Sequence, residues 1–197
     1  AFAHFLPPRF YQTMLTIAPD IPQRFPFINI KNIVDLDSRI QQWPEAGMKQ
    51  VISLANISPE DFCEPAQASE ICRQANSEIS SIVAADSEHF EAGVAALPMN
   101  DVPQAVAILD DVAHDPHMVG AQIFTRHLGK SIANPQFEPV LAKAAELGLP
   151  LWLHPVFDVR KPDNELVFSW EYELSQAMLQ LVQANTFEKY PNLKILV

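Results

Sequence analysis

Apolar residues in this chain come in short unbroken runs, separated by longer polar stretches with helical spacing. The runs at residues 1–5, 50–55, 90–97, 117–124, 149–154 and 193–197 lack the in-out alternation of a half-solvated strand. They predict strands buried on both faces, as in a parallel sheet. The clearest is Leu149-Pro150-Leu151-Trp152-Leu153-His154-Pro155. Gly148 precedes it, and Pro155 stops the ladder because proline has no N–H to donate. His154 is thereby left at the carboxyl end of a strand. Between the runs, the spacing of Phe10, Met14 and Ile17 predicts a helix over 9–18. Asp35 caps a helix over 35–46 that presents Leu36, Ile40 and Trp43 and is ended or kinked by Pro44. A long helix over 66–85 buries Ile71, Ala75, Ile79 and Ile82. Asp101 starts a helix over 101–113 with Val102, Val106 and Leu109 on one face, and two more span 135–147 and 169–190.

Strand and helix alternate throughout, which predicts an α/β fold with parallel strands. A doubly wound sheet and a (β/α)8 TIM barrel share that pattern. No strand is followed by a glycine-rich loop, and polar residues collect after several different strands, both of which favour the barrel. Six strands fall short of eight, and a complete barrel takes about 250 residues. The 197-residue chain is therefore expected to form a single partial barrel domain over 1–197, incomplete at its C-terminus. An uncovered sixth strand would leave an apolar edge, so a homo-oligomer is expected.

The formal net charge of −11 argues against nucleic acid, which needs clustered Lys and Arg. A small molecule or a protein partner fits better. No apolar run approaches the roughly 18 residues of a membrane span. No basic segment leads into an apolar one at the N-terminus, so no signal peptide is expected. Cys63 and Cys72 are the only two cysteines and have no metal-type spacing, which suits reduced thiols in a cytoplasmic protein. Seventeen prolines against five glycines point to short, stiff connections.

Five segments, in order, resemble one family. Phe2-Ala3-His4-Phe5-Leu6-Pro7 resembles a first strand reading His-x-His, aromatic, proline. The stretch 93–98 resembles Gly-x-x-x-Leu-Pro, and Gly120-Ala121-Gln122-Ile123 resembles Gly-x-Gln-Ile. The stretch 149–155 resembles a strand ending Leu-His-Pro, and 187–195 resembles Phe-x-x-x-Pro-x-Leu-Lys-Ile. Together they resemble the amidohydrolase superfamily, in the amidohydrolase-2 branch that includes the aminocarboxymuconate semialdehyde and γ-resorcylate decarboxylases.

The resemblance implies a barrel enzyme with a divalent metal, zinc or possibly manganese, at the carboxyl ends of its strands. The implied metal ligands here are His4 and His154. Phe2 stands where the family has its first histidine, and the family's strand-six histidine and strand-eight aspartate would fall beyond Val197. The catalytic residues are thus unknown, and this chain is expected to hold metal poorly or not at all. Thr125 and Arg126 follow the fourth strand, and Arg126 is a candidate to grip a substrate carboxylate. The pair Trp170 and Tyr172 resembles a Trp-x-Tyr that opens the helix after strand five and is a candidate pocket wall. His89, His114 and His117 fall at the opposite rim and read as structural. The activity implied is non-oxidative decarboxylation, or related C–C hydrolysis, of a small carboxylated aromatic or enoic acid. Two alternatives stay open: hydrolysis of a cyclic ester or amide, and a metal-free barrel serving as a binding or assembly module.

Overall fold

The computed structural model describes residues 2–42, 47–156 and 166–197, with backbone only for Phe2, Leu166 and Val167. In chain order the strands are β1 Phe2–Phe5, β2 Gln50–Leu54, β3 Phe90–Ala95, β4 Met118–Phe124, β5 Arg126–His127, β6 Lys130–Ser131, β7 Pro150–His154 and β8 Lys194–Leu196. The helices are α1 Pro8–Ile17, α2 Ile21–Arg24, α3 Lys31–Val34, α4 Leu36–Gln41, α5 Pro65–Ala85, α6 Val102–His114, α7 Glu138–Leu147, α8 Leu166–Gln183 and α9 Thr186–Lys189. Six strands form one parallel sheet in the order β1-β2-β3-β4-β7-β8, and β5 and β6 form a small antiparallel hairpin. Each sheet strand lies beside the next one in sequence. A doubly wound sheet reverses its order partway, whereas a barrel does not. The strand order therefore decides for the (β/α)8 type, of which these are six strands.

Local chemistry explains the element ends. The Asp35 and Asp101 side chains accept the N–H groups of Ser38 and Gln104, capping α4 and α6 as expected. Gly148 closes α7 in the left-handed region at φ 67°, where a side chain would be strained. Pro7 and Pro8 leave the start of α1 short of donors, and the N–H groups of Arg9 and Phe10 go to the Glu78 carboxylate of α5 at 3.0 and 3.1 Å. A negative group there also meets the positive end of the helix dipole.

Two expectations are corrected. The helix expected over 169–190 is two helices, because Asn185 takes a left-handed conformation at φ 54° between α8 and α9. Asparagine tolerates that conformation, and periodicity does not reveal it. On α5 it is Val83, with Ile71, Ala75 and Ile79, that is buried, while Ile82 is half-buried. The Trp43 and Pro44 end of the helix expected over 35–46 lies outside the described residues; α4 itself ends at Gln41.

The register runs Phe2↔Val51, His4↔Ser53, Gln122↔Trp152 and Phe124↔His154. Side chains alternate between the faces of a strand, so His4, Ser53, Gln122, Phe124, Trp152 and His154 share the face away from the helices. The other face carries Ile52, Ala121, Ile123, Leu151 and Leu153, all buried in the main core. Cys63 and Cys72 are both free thiols.

Candidate metal and substrate site at the carboxyl ends of the strands

His154 ends β7, and its Nδ1–H donates to the carbonyl oxygen of Pro155 at 2.8 Å. A carbonyl only accepts, so Nδ1 carries the proton and Nε2 presents a lone pair. That lone pair faces Nε2 of His4, 3.1 Å away, across rings whose centroids are 4.9 Å apart. Nδ1 of His4 sits 3.1 Å from the Ser53 hydroxyl. Burial, and next the neighbouring His154, hold the His4 pKa down at about 4, and burial lowers that of His154. Both imidazoles are therefore neutral at pH 7, the state that ligates metals. Two nitrogens bound to one tetrahedral zinc at its usual bond length lie about 3.3 Å apart, close to what this pair presents. Chain segments 150 residues apart are thus brought to a chelating separation.

Two nitrogens are fewer than the ligands a closed metal site takes. Among the described residues no group of three His, Cys, Asp or Glu side chains gathers to hold a metal. Phe2 pairs with Val51 through its backbone, and its side chain lies outside the described residues.

The three residues after β4 each tie a different segment to the site. Thr125 donates its backbone N–H to the His154 carbonyl at 2.9 Å, and its hydroxyl accepts the N–H of Val156 at 3.1 Å. At 1% exposure it braces the strand end that carries His154. Arg126 binds Glu173 of α8 with two parallel bonds, Nε–Oε2 at 3.0 Å and Nη2–Oε1 at 2.5 Å. The fork proposed for a substrate carboxylate is thus already occupied by one from the protein. His127 Nδ1 lies 2.8 Å from Glu60 Oε1 in the loop after β2, and both side chains are buried.

Trp170 stands with its ring 6.4 Å from that of His154, edge to face, and its buried indole Nε1 has no partner among the described residues. Tyr172, two positions on, is 51% exposed. Phe124 packs its ring 5.5 Å from His154 and 5.7 Å from His127. Sequence reading missed Ser53, Glu60, Gln122 and Glu173. Each acts through a partner far away in the chain, so neither the polar segments around Glu60 and Glu173 nor the strands around Ser53 and Gln122 give a local signal of it.

The parallel sheet, its strands in unbroken sequence order, has the barrel fold of the metal-dependent hydrolase type. More narrowly, residues 52–197 match the amidohydrolase family of the second type, and the chain belongs to that family. His154 falls inside the matched region and His4 before it. The decarboxylase OrsB of Emericella nidulans is 29% identical over 170 residues, covering 78% of this chain and 51% of that protein. A gamma-resorcylate decarboxylase of a Polaromonas species is 27% identical over 203 residues, covering 94% of this chain and 62% of that protein. The chain thus spans between half and two thirds of the length of these relatives. Among solved structures, 5-carboxyvanillate decarboxylase of Novosphingobium aromaticivorans, complexed with manganese and 4-hydroxy-3-methoxy-5-nitrobenzoic acid, superposes with a TM-score of 0.85. It is 18% identical, and the match covers 98% of this chain and 62% of that one. A likeness at that identity speaks for the fold.

Proposed function

We propose that this chain carries the active face of a metal-dependent, non-oxidative decarboxylase for a small carboxylated aromatic or enoic acid. The observation that carries the reading is the 3.1 Å approach of two neutral Nε2 atoms at the ends of β1 and β7. His4 and His154 would hold a divalent cation, zinc or manganese, which when bound would neutralise charge gathering on the substrate oxygens. The chain's own groups do the rest. The Trp170 indole, a donor without a partner among the described residues, lies beside His154 and is suited to a substrate carboxylate or phenolic oxygen. Arg126, neutralised by Glu173, would reach a substrate through Nη1. Thr125 keeps the His154 strand end in place. In the reaction the bond between the ring carbon and the carboxylate breaks, carbon dioxide leaves, and a proton takes its place on carbon. The decarboxylases to which the chain is similar favour this over hydrolysis of a cyclic ester or amide.

A second reading is a metal-free barrel that binds without catalysis. It is favoured by the convergence of only two nitrogen ligands among the described residues and by Phe2 at the place of a histidine. Among the described residues no helix is long and apolar enough to cross a membrane. Cytoplasmic placement and a homo-oligomer belong to the same proposal, and light scattering checks the latter.

The test is metal titration followed by carbon dioxide release from gamma-resorcylate. One equivalent of manganese or zinc is expected to bind the wild-type chain weakly, as two nitrogen ligands imply, and His154→Ala is expected to weaken it at least tenfold further. Metal binding with ring opening of a lactone, and no decarboxylation, would move the chain to the hydrolases. Absence of stoichiometric metal would leave the binding barrel.

A further inference from the structure

Ser53, His4, His154 and the Pro155 carbonyl follow one another at hydrogen-bond distance across β2, β1 and the end of β7, with links of 3.1, 3.1 and 2.8 Å. The last link has a fixed direction. A carbonyl only accepts, so His154 carries its proton on Nδ1 and shows a bare Nε2. A neutral imidazole has a single N–H, so the approach of the two Nε2 atoms admits one donor, and that donor is His4. With both nitrogens bare, two lone pairs would oppose each other, an arrangement that a cation between them relieves. In a chain stripped of metal, a proton must do so. Placing it on His4 Nε2 leaves Nδ1 bare, and a buried bare nitrogen needs a donor. Ser53 is wholly buried 3.1 Å away, and its hydroxyl can turn to donate or to accept. The Leu54 carbonyl, another acceptor for that hydroxyl, is farther, at 3.5 Å, and already takes the Gln122 Nε2–H at 3.3 Å.

We propose that Ser53 is a positioning residue that sets the tautomer of His4: in the metal-stripped chain its hydroxyl donates to Nδ1 and so keeps the His4 proton on Nε2, where it bridges to His154. The hydrogen bonds then run in one direction, from Ser53 through His4 and His154 to Pro155, and tie together strand ends 150 residues apart. The same hydroxyl permits the opposite arrangement. When it turns to accept, its hydrogen goes to the Leu54 carbonyl, the His4 proton sits on Nδ1, and both Nε2 atoms are bare, as ligands to one cation must be. One proton changes nitrogen, and the ring is neutral in both arrangements. Only this second arrangement rests on the metal-dependent reading; the first follows from the hydrogen bonds alone.

The test is long-range nitrogen–proton correlation spectroscopy of the histidine rings in the full chain, stripped of metal with chelator, at neutral pH. A protonated ring nitrogen and a bare one resonate far apart, so each tautomer is read directly. The wild type is expected to carry the His4 proton on Nε2 and the His154 proton on Nδ1. Ser53→Ala is expected to lose the Nε2–H form of His4 and gain the Nδ1–H form, since the Leu54 carbonyl, which also acts on this ring, is then the partner left to Nδ1. Ser53→Thr keeps the hydroxyl and is expected to restore the Nε2–H form. His154 is expected to keep its Nδ1 proton in all three, the mark of a folded site. The proposal is overturned if wild-type His4 carries its proton on Nδ1, or if Ser53→Ala leaves it on Nε2. It is overturned equally if Ser53→Thr behaves as Ser53→Ala does while His154 is unchanged. Neither metal nor substrate enters the experiment, so its failure would leave the decarboxylase reading standing, and the failure of carbon dioxide release would leave the role of Ser53 standing.

Discussion

Arg126 and Glu173 form a pair with unequal access to water: 28% of the arginine side chain is exposed, against 4% of the glutamate. Removing either partner leaves the other behind, but only Arg126 can turn out to solvent. Arg126→Ala strands a buried carboxylate and is expected to cost about 3 kcal/mol, towards the range for breaking a buried pair. Glu173→Ala frees an arginine that rehydrates and is expected to cost about 1 kcal/mol. Urea denaturation of the two variants checks this, and equal losses would mean that the pair is solvated alike on both sides. At this scale the site was partly readable beforehand. His154 was marked by the proline behind it and His4 by its place in the first strand. Glu60 was not, because its meaning lies in His127, 67 residues away. Nothing in the sequence around Arg126 shows that Glu173 occupies its fork.

At the scale of single elements, α8 shows what burial decides. Leu181 is wholly buried and Leu179, two residues earlier, is 56% exposed. Leu181→Ala should destabilise the protein by about 2–4 kcal/mol through lost burial and the cavity left behind. Leu179→Ala should change stability by less than about 0.5 kcal/mol. Guanidinium unfolding of both variants tests the assigned face of the helix, and similar losses would show that Leu179 is also covered. Helical spacing alone could not separate these positions, because Phe168, Tyr172, Leu179 and Val182 are apolar as well and yet exposed. The same limit hid the break at Asn185. Strands read more cleanly, since each apolar run is short and several end at a proline or glycine.

Over the whole molecule, alternation of strand and helix announced a parallel α/β fold but left its winding open. The order β1-β2-β3-β4-β7-β8 settled it, and strand order is a property of long-range pairing that no local pattern contains. Neighbouring β-α units need only modest loop closure, so they can form early. The candidate site is different. Its links join His4 to His154 over 150 residues, Glu60 to His127 over 67 and Arg126 to Glu173 over 47. Contacts of that separation are reached late, because chain entropy must be surrendered before they repay it. Pulsed hydrogen exchange during refolding should therefore protect α5 and β3 amides before the Arg9 and Phe10 amides, whose acceptor Glu78 lies 69 and 68 residues away. Simultaneous protection of all four sets would argue against this order. The opposed histidines are thus expected to meet last, so that a chain stalled halfway would have its helices and much of its sheet but its two strand ends still apart.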